Sequence, residues 1–132
     1  MYGTGRSERI IARAIKGRRE KYFIATKCAL NWRSSEGAFT YERDGRQVYN
    51  NFTKAALIRD AEENLDRLDT EYIDLLIIHR TPPLDRFGEV MEAMEELKNR
   101  QLIRAVGLAN MVRTGHPIEA LDVCRKYGAL DL

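Results

Sequence analysis

The sequence of 132 residues is long enough for one domain with a hydrophobic core. It carries 22 Lys and Arg against 20 Asp and Glu, and this net charge of +2, with both signs interleaved, argues against a nucleic-acid partner. No apolar run reaches the roughly 18 residues of a membrane-spanning helix, no signal peptide is expected at the N-terminus, and two cysteines without CxxC spacing favour a reducing, cytoplasmic setting.

The first predicted elements are a helix and a strand. Ser7 is expected to cap the helix, and Gly17 is expected to end it in the left-handed conformation. The apolar stripe of this helix comprises Ile10, Ile11, Ala14 and Ile15. A buried strand over residues 22–26 follows, and residues 31–52 then show no clear period.

Two further helices and two strands alternate in the next part of the chain. Thr53 is expected to cap a helix whose apolar face comprises Leu57, Ile58, Ala61, Leu65 and Leu68. A nearly all-apolar strand over residues 73–78 is typical of a parallel sheet. After Pro82-Pro83, a helix over residues 87–99 is predicted to turn inward the residues Phe87, Val90, Met91, Met94 and Leu97. A strand over residues 103–108 completes the pattern.

The end of the chain repeats the same alternation. A fourth helix is expected from about Pro117, and residues 129–132 look like the opening of another strand. Strict alternation of helices and strands predicts a parallel sheet with right-handed crossovers, and no linker interrupts residues 1–132. A complete (β/α)8 barrel needs roughly 200 residues or more, so the prediction is one domain that forms part of such a barrel.

Polar residues stand where the strands of this pattern end. Lys27 follows the first predicted strand, His79 follows the second, and Asn110 lies just past the third, while Tyr2 stands where a preceding strand would end. Active sites of (β/α) barrels lie at the C-terminal ends of their strands, so these four residues form a candidate site. Taken singly, each has a simpler interpretation as a terminal aromatic, a solvated charge, a loop histidine or a turn residue.

Several segments resemble the aldo-keto reductase family, in order and at matching spacing. Residues 2–8 resemble the stretch after that family's second strand, and residues 24–27 resemble its third strand with a lysine. Residues 65–75 resemble the approach to the fourth strand, Ile78-His79 matches its histidine, and residues 103–110 are similar to the fifth strand. The resemblance implies that the chain runs from about helix 2 to the start of strand 6 of a TIM barrel.

The same resemblance implies an NADPH-dependent enzyme that reduces aldehydes and ketones. It assigns Tyr2 as the catalytic proton donor, Lys27 as the residue that tunes it, His79 as the substrate-orienting histidine and Asn110 as a contact of the cofactor's nicotinamide. It also places the family's catalytic aspartate before Met1 and most phosphate contacts past the end of this sequence. Ala109 replaces the serine that the family usually has beside Asn110.

The chemistry explains why these residue types would act together. A phenol with a pKa of about 10 is a weak acid near neutrality, and an adjacent ammonium such as that of Lys27 lowers that pKa. A neutral His79 can donate a hydrogen bond to a carbonyl oxygen and fix its angle. The cofactor supplies the hydride, while the protein supplies orientation and electrostatics.

Other chemically suggestive residues have structural interpretations. Cys28, next to Lys27, is expected to be a small buried residue rather than a reactive thiolate. Asp74 is expected to be a hydrogen-bonded group in the core or at the barrel bottom. His116 has no partner at ligand spacing, so no metal site is predicted, and Gly3-x-Gly5 lacks the third glycine of a dinucleotide fingerprint.

Residues 31–52 form a long insertion after a predicted strand. The insertion is rich in aromatic residues: Trp32, Phe39, Tyr41, Tyr49 and Phe52. Insertions of this length usually serve as lids or binding loops, so we expect an active-site loop with turns at Gly37 and Gly45. A mobile loop with a few aromatics packed on helices is the open alternative.

Two alternatives to an active reductase follow from these expectations. The chain could be a non-catalytic, NADPH-binding regulatory barrel, or an inactive, truncated chain, and we expect negligible activity from these 132 residues alone. A small carbonyl compound is the expected substrate. Self-association through open sheet edges, at residues 22–26 and from Ala129, is a further expectation, because part of a barrel leaves edge strands unpaired.

Overall fold

The computed structural model describes residues 3–110 together with Asp122, Arg125 and Lys126. Helices alternate with strands of a parallel sheet, as predicted, and a small antiparallel sheet is inserted after the first strand. The elements in chain order are α1 (Arg6–Ile15), β1 (Ala25–Cys28), β2 (Leu30–Asn31), β3 (Ala38–Arg43), β4 (Arg46–Asn50), α2 (Lys54–Leu68), β5 (Ile73–Ile78), α3 (Phe87–Asn99) and β6 (Ile103–Leu108). Short 3-10 turns occupy Gly3–Gly5, Arg19–Lys21 and Leu84–Arg86.

The parallel sheet has the strand order β1-β5-β6, so strands that follow one another in this sheet are also neighbours. Strands β5 and β6 have the predicted bounds. Strand β1 begins later than predicted, at Ala25, because Arg19 donates to the carbonyl oxygen of Tyr22 at 2.7 Å and holds that residue in the preceding turn. Lys27 therefore lies within β1 rather than after it.

Helices α2 and α3 confirm the sequence predictions and cover the sheet. The Thr53 hydroxyl accepts a hydrogen bond from the Ala56 N–H at 3.4 Å and caps α2. The predicted inward residues of α3 are all buried, as are those of α2 except the half-buried Ile58. They form one core with the strands, in which the residues with no exposed area include Leu57, Ala61, Ile73, Leu76, Ile78, Val90, Leu97 and Val106. This core fixes the strand ends relative to the helices.

Helix α1 differs from its prediction in how it begins and in what it buries. It begins at Arg6 after Gly5, so Ser7 lies inside the helix and does not cap it. Gly17 does adopt the expected left-handed conformation, with φ of +73°. Of the predicted apolar stripe only Ile15 is buried, while Ile10 is 54% exposed, because the described residues include no element over that face.

Residues 31–52 contain a β-hairpin, which the sequence analysis missed. Strands β2, β4 and β3 form an antiparallel sheet, and Asp44-Gly45 connects β3 to β4. Both turn residues have positive φ, +52° and +71°, which is the geometry that Asp-Gly favours in two-residue hairpin turns. The Asp-Gly pair was therefore the available sequence signal, and the expected turns at Gly37 and Gly45 are both present.

Candidate active site

Lys27 and His79 lie at the same edge of the parallel sheet. Lys27 is in register with Ile77 on the neighbouring strand, and His79 follows β5 directly, with its N–H donating to the Cys28 carbonyl oxygen at 3.2 Å. Because β1 and β5 are parallel, their C-terminal ends meet at one edge, and both residues line the same small cleft. The structure thus brings together these two predicted site residues.

Asn110 lies next to His79 at that edge. The backbone N–H of Ala109 donates to the Ile78 carbonyl oxygen at 2.9 Å and extends the pairing of β6 with β5. The Asn110 side-chain amide then donates to the His79 carbonyl oxygen at 2.7 Å. Asn110 has φ of +61°, a left-handed conformation that asparagine tolerates, and its side chain is exposed. An exposed carboxamide at this edge has the donor and acceptor groups that can pair with another amide.

Tyr2 lies outside the described residues. The segment that follows it, Gly3–Gly5, forms a 3-10 turn that leads into α1. Gly5 has φ of +89° and lies against the side chain of Arg67 on α2. Arg67 in turn lines the cleft of Lys27 and His79.

The environment of His79 keeps its imidazole neutral at pH 7. Burial is the largest cause of a pKa of about 4 for His79, and the positive charges of the N-terminal amino group, Lys27 and Arg80 act in the same direction. A neutral imidazole retains one N–H and can donate one hydrogen bond without carrying a charge. This is the protonation state that the sequence analysis expected of a residue orienting a carbonyl oxygen.

Side chains of α2 hold the end of β1. The Asn64 amide donates to the Lys27 carbonyl oxygen at 3.0 Å. The Asp60 carboxylate accepts from the Ala29 N–H at 2.8 Å, and Ala29 has φ of +73°. Asp60 also pairs with Arg33, but burial outweighs this attraction and raises the pKa of its carboxyl. The strained residue at which the chain leaves the parallel sheet is therefore fixed by a buried carboxylate.

The sequence analysis missed the role of Asp60, Asn64 and Arg67. A signal was available, because Asp60 and Asn64 are four residues apart on the otherwise apolar face of α2. Polar side chains on a buried helix face need internal hydrogen bonds, and both residues have them here.

Cys28 and Asp74 are structural, as predicted. Cys28 is buried, and burial raises the pKa of its thiol well above the ordinary value, so it is not a reactive thiolate. Asp74 lies at the opposite end of β5, where burial alone would raise its pKa. The N–H of Ile24 and the guanidinium groups of Arg19 and Arg104 more than offset this effect and lower the pKa of Asp74.

The described part of the chain contains neither a cluster of metal ligands nor a membrane-spanning helix. Within residues 3–110 and the three described residues beyond them, no group of three or more His, Cys, Asp or Glu could hold a metal ion. No helix among these residues is both long enough and apolar enough to cross a membrane.

Known proteins resemble this chain over nearly all of its length. The model described as the aldo/keto reductase family matches residues 1–127. The aldo-keto reductase YhdN of Bacillus subtilis is 35% identical over 131 residues, which are 98% of this chain and 35% of that protein. The NADH-specific methylglyoxal reductase of Escherichia coli is 34% identical over 135 residues, covering 99% of this chain and 40% of that protein.

A solved structure agrees with the fold. The glycerol dehydrogenase of Gluconobacter oxydans matches with a TM-score of 0.79 and 29% identity, covering 98% of this chain and 36% of that one. The described strands and helices are therefore consecutive units of an incomplete (β/α)8 barrel. The chain spans 35% and 40% of the length of the two curated relatives above.

Proposed function

The chain belongs to the aldo/keto reductase family of oxidoreductases, and we propose that its strand-end residues serve the NADPH-dependent reduction of aldehydes and ketones to alcohols. The observation that carries the proposal is the meeting of Lys27 with a neutral His79 at one edge of the parallel sheet. A carbonyl group bound at this edge would accept a hydrogen bond from His79. The substrate is a small carbonyl compound.

Each residue has one role in this proposal. Tyr2 donates the proton that the reduced carbonyl oxygen needs. The Lys27 ammonium favours the phenolate form of Tyr2 and so makes the phenol a stronger acid. His79 fixes the carbonyl oxygen, and because it is neutral it directs an N–H at that oxygen without competing as a charged acid.

The residues at this edge fit a nicotinamide cofactor in part. The exposed carboxamide of Asn110, held beside His79, can pair with the carboxamide of the nicotinamide ring. When bound, the cofactor supplies the hydride. We propose NADPH, and since one relative is named as NADH-specific, both nucleotides belong in the test. The buried free thiol of Cys28 supports the proposed cytoplasmic setting.

A chimeric barrel tests the proposed function. The chain would replace the aligned 131 residues of the Bacillus relative, which provides the rest of the barrel. We expect aldehyde-dependent oxidation of NADPH that falls at least about 100-fold in His79→Gln and in Lys27→Met. The first loses the hydrogen bond to the carbonyl oxygen, and the second loses the charge that makes Tyr2 a stronger acid. The control Arg104→Gln, at the opposite end of the sheet, should keep its activity. Nucleotide binding without turnover in a folded chimera would instead favour a regulatory barrel.

A further inference from the structure

Two segments of the candidate site contact the same helix at neighbouring side chains. The turn that follows Tyr2 lies against Arg67, and the end of β1 that carries Lys27 is bonded to Asn64. Asn64 and Arg67 are three residues apart in α2 and therefore lie on one face of the helix. We call this pair of side chains the α2 clamp.

The first contact of the α2 clamp is a steric one with Gly5. A methyl group at Gly5 would come within 2.5 Å of Arg67 Cδ. The Arg67 side chain is only 12% exposed and pairs with Glu63 at 3.1 Å, and its guanidinium lies 5.7 Å from the ring centre of Trp32. Arg67 therefore cannot move away from Gly5 without losing these interactions. The position of the turn therefore limits where the Arg67 side chain can lie.

The second contact links Arg67 to the backbone of Lys27 through Asn64. Arg67 Nη2 donates to Asn64 Oδ1 at 2.5 Å, and Asn64 Nδ2 donates to the Lys27 carbonyl oxygen at 3.0 Å. Asn64 is 2% exposed, so its amide has little water to replace either bond. A shift of Arg67 therefore releases the amide that holds the end of β1.

A second chain of interactions, made of ion pairs and one hydrogen bond, connects Arg67 to the residues just beyond Lys27. Glu63, which pairs with Arg67, also pairs with Arg33 at 2.5 Å. Arg33 pairs with Asp60, whose carboxylate accepts from the N–H of Ala29. Both chains of interactions start at Arg67 and end on the backbone at the end of β1, so two separate sets of side chains hold this strand end.

We propose that Asn64 and Arg67 are positioning residues, which hold the Gly3–Gly5 turn and the Lys27 end of β1 in the fixed relation that proton transfer at the proposed site requires. The link between this arrangement and proton transfer rests on the proposed function. The arrangement itself is a property of the folded chain and can be tested without turnover.

Two glycines offer a matched pair of variants. Gly5 and Gly17 flank α1 at its two ends and have similar positive φ values, +89° and +73°, so an alanine is strained at either position. Only at Gly5 would the new methyl group meet Arg67, since nothing lies within 4 Å of the methyl position at Gly17. Asn64→Leu, which keeps the branching and the number of side-chain heavy atoms but removes both hydrogen bonds, is the third variant.

The readout is the pKa of His79, measured by NMR titration of the whole chain with His116→Gln as background so that one imidazole signal remains. His79 senses the end of β1 through its bond to the Cys28 carbonyl oxygen and through the charge of Lys27. The other positive charges acting on it are the N-terminal amino group and Arg80, and neither is removed in any variant. Urea unfolding of each variant reports overall stability separately.

We expect Gly5→Ala and Asn64→Leu each to raise the pKa of His79 by about one unit, because a released strand end exposes the imidazole and moves Lys27 away. Gly17→Ala should lower stability yet leave that pKa unchanged. In the double variant of Gly5 and Asn64 the shift should equal that of Gly5→Ala alone, because displacing Arg67 already breaks the path through Asn64.

Two results would overturn the α2 clamp. One is a His79 pKa in Gly5→Ala equal to that in Gly17→Ala. The other is a double variant whose shift is the sum of the single shifts, which would mean independent effects. Since the titration needs no substrate, these results are distinct from a failure of the chimera to turn over.

Discussion

His79 is the residue whose environment has the clearest consequence for pH. Its pKa is about 4 in the folded chain against an ordinary 6.5, so between these values the unfolded state binds more protons than the folded state. The contribution of His79 to stability should therefore rise as pH increases from 4 to 6.5 and should be constant above that range. For a half-buried side chain we expect about 1–2 kcal/mol after allowance for solvent screening.

The comparison of the parent chain with His79→Gln isolates this contribution. Unfolding by urea at pH 4, 5, 6 and 7 should show the difference between the two proteins growing toward acid, with the parent losing more stability. Asp60, whose raised pKa has the opposite sign, is present in both and cancels. A difference that does not change with pH would show that His79 is not held neutral by burial.

Asp74 should be a stability residue at the end of the sheet opposite the site. Its buried carboxylate accepts from Ile24, Arg19 and Arg104. Asp74→Asn should cost about 2–3 kcal/mol, because it removes the charge that pairs with the largely buried side chain of Arg19. Arg104→Gln, with a side chain that is 62% exposed, should cost less than about 1 kcal/mol. Equal losses in urea unfolding would contradict this assignment.

At the scale of elements, the hairpin depends on Gly37 more than on Gly45. Both have positive φ, +107° and +71°, so both resist alanine. A methyl group at Gly37 would come 2.2 Å from the backbone oxygen of Asn50, whereas nothing lies within 4 Å at Gly45. Asn50 pairs with both β2 and β3, so Gly37→Ala forces the backbone of the sheet to move.

We expect Gly45→Ala to cost about 1–2 kcal/mol, the strain of a left-handed residue, and to keep the hairpin. Gly37→Ala should cost more than about 3 kcal/mol and abolish protection of the hairpin amides from hydrogen exchange. Protection of β5 amides serves as the internal control. If the hairpin amides stay protected in Gly37→Ala, the sheet accommodates the methyl group beside Asn50 without opening, and the prediction is wrong.

At the scale of the whole molecule, the sheet edges should lead to self-association. Among the described residues β1 and β6 each pair only with β5, so each has one open side. Phe23, just before β1, is 68% exposed, and Ile10 on α1 is 54% exposed. Open edges flanked by apolar side chains pair readily with other chains.

Light scattering across a concentration series measures this property. We expect the 132-residue chain to form dimers or larger species as concentration rises, and we expect Phe23→Lys to reduce that tendency by placing a charge beside the edge. A monomer at all concentrations, with cooperative unfolding, would contradict the prediction.

The isolated chain should have negligible reductase activity. It spans 35% of the length of the Bacillus relative, and the family resemblance assigns the catalytic carboxylate and most phosphate contacts to segments outside it. Without those phosphate contacts NADPH should bind weakly to the 132 residues, so hydride transfer should be slow. Turnover of a reactive aldehyde by these 132 residues, lost in Tyr2→Phe, would contradict this expectation.

Local pattern was sufficient to predict most elements of this chain. Runs and periods of apolar residues predict strands β5 and β6 and helices α2 and α3, because the residues that each element buries against the core recur at the period of that element. The positions of Lys27 and His79 at one sheet edge follow as well, since parallel strands place their C-terminal ends together. Of the fourth helix expected from Pro117 the structure describes Asp122, Arg125 and Lys126, which are helical, whereas the strand start at residues 129–132 and Tyr2 lie outside the described residues.

Tertiary contacts decided the rest. The start of β1 depends on Arg19 reaching the Tyr22 carbonyl oxygen, and the use of Asp60, Asn64 and Arg67 depends on which backbone groups α2 happens to face. The sequence by itself determined the spacing of the apolar residues. That spacing gives the order of the βα units and the residues at their ends. Only the folded structure decided which polar side chains of one element meet the backbone of another, because such bonds join residues that are distant in the chain.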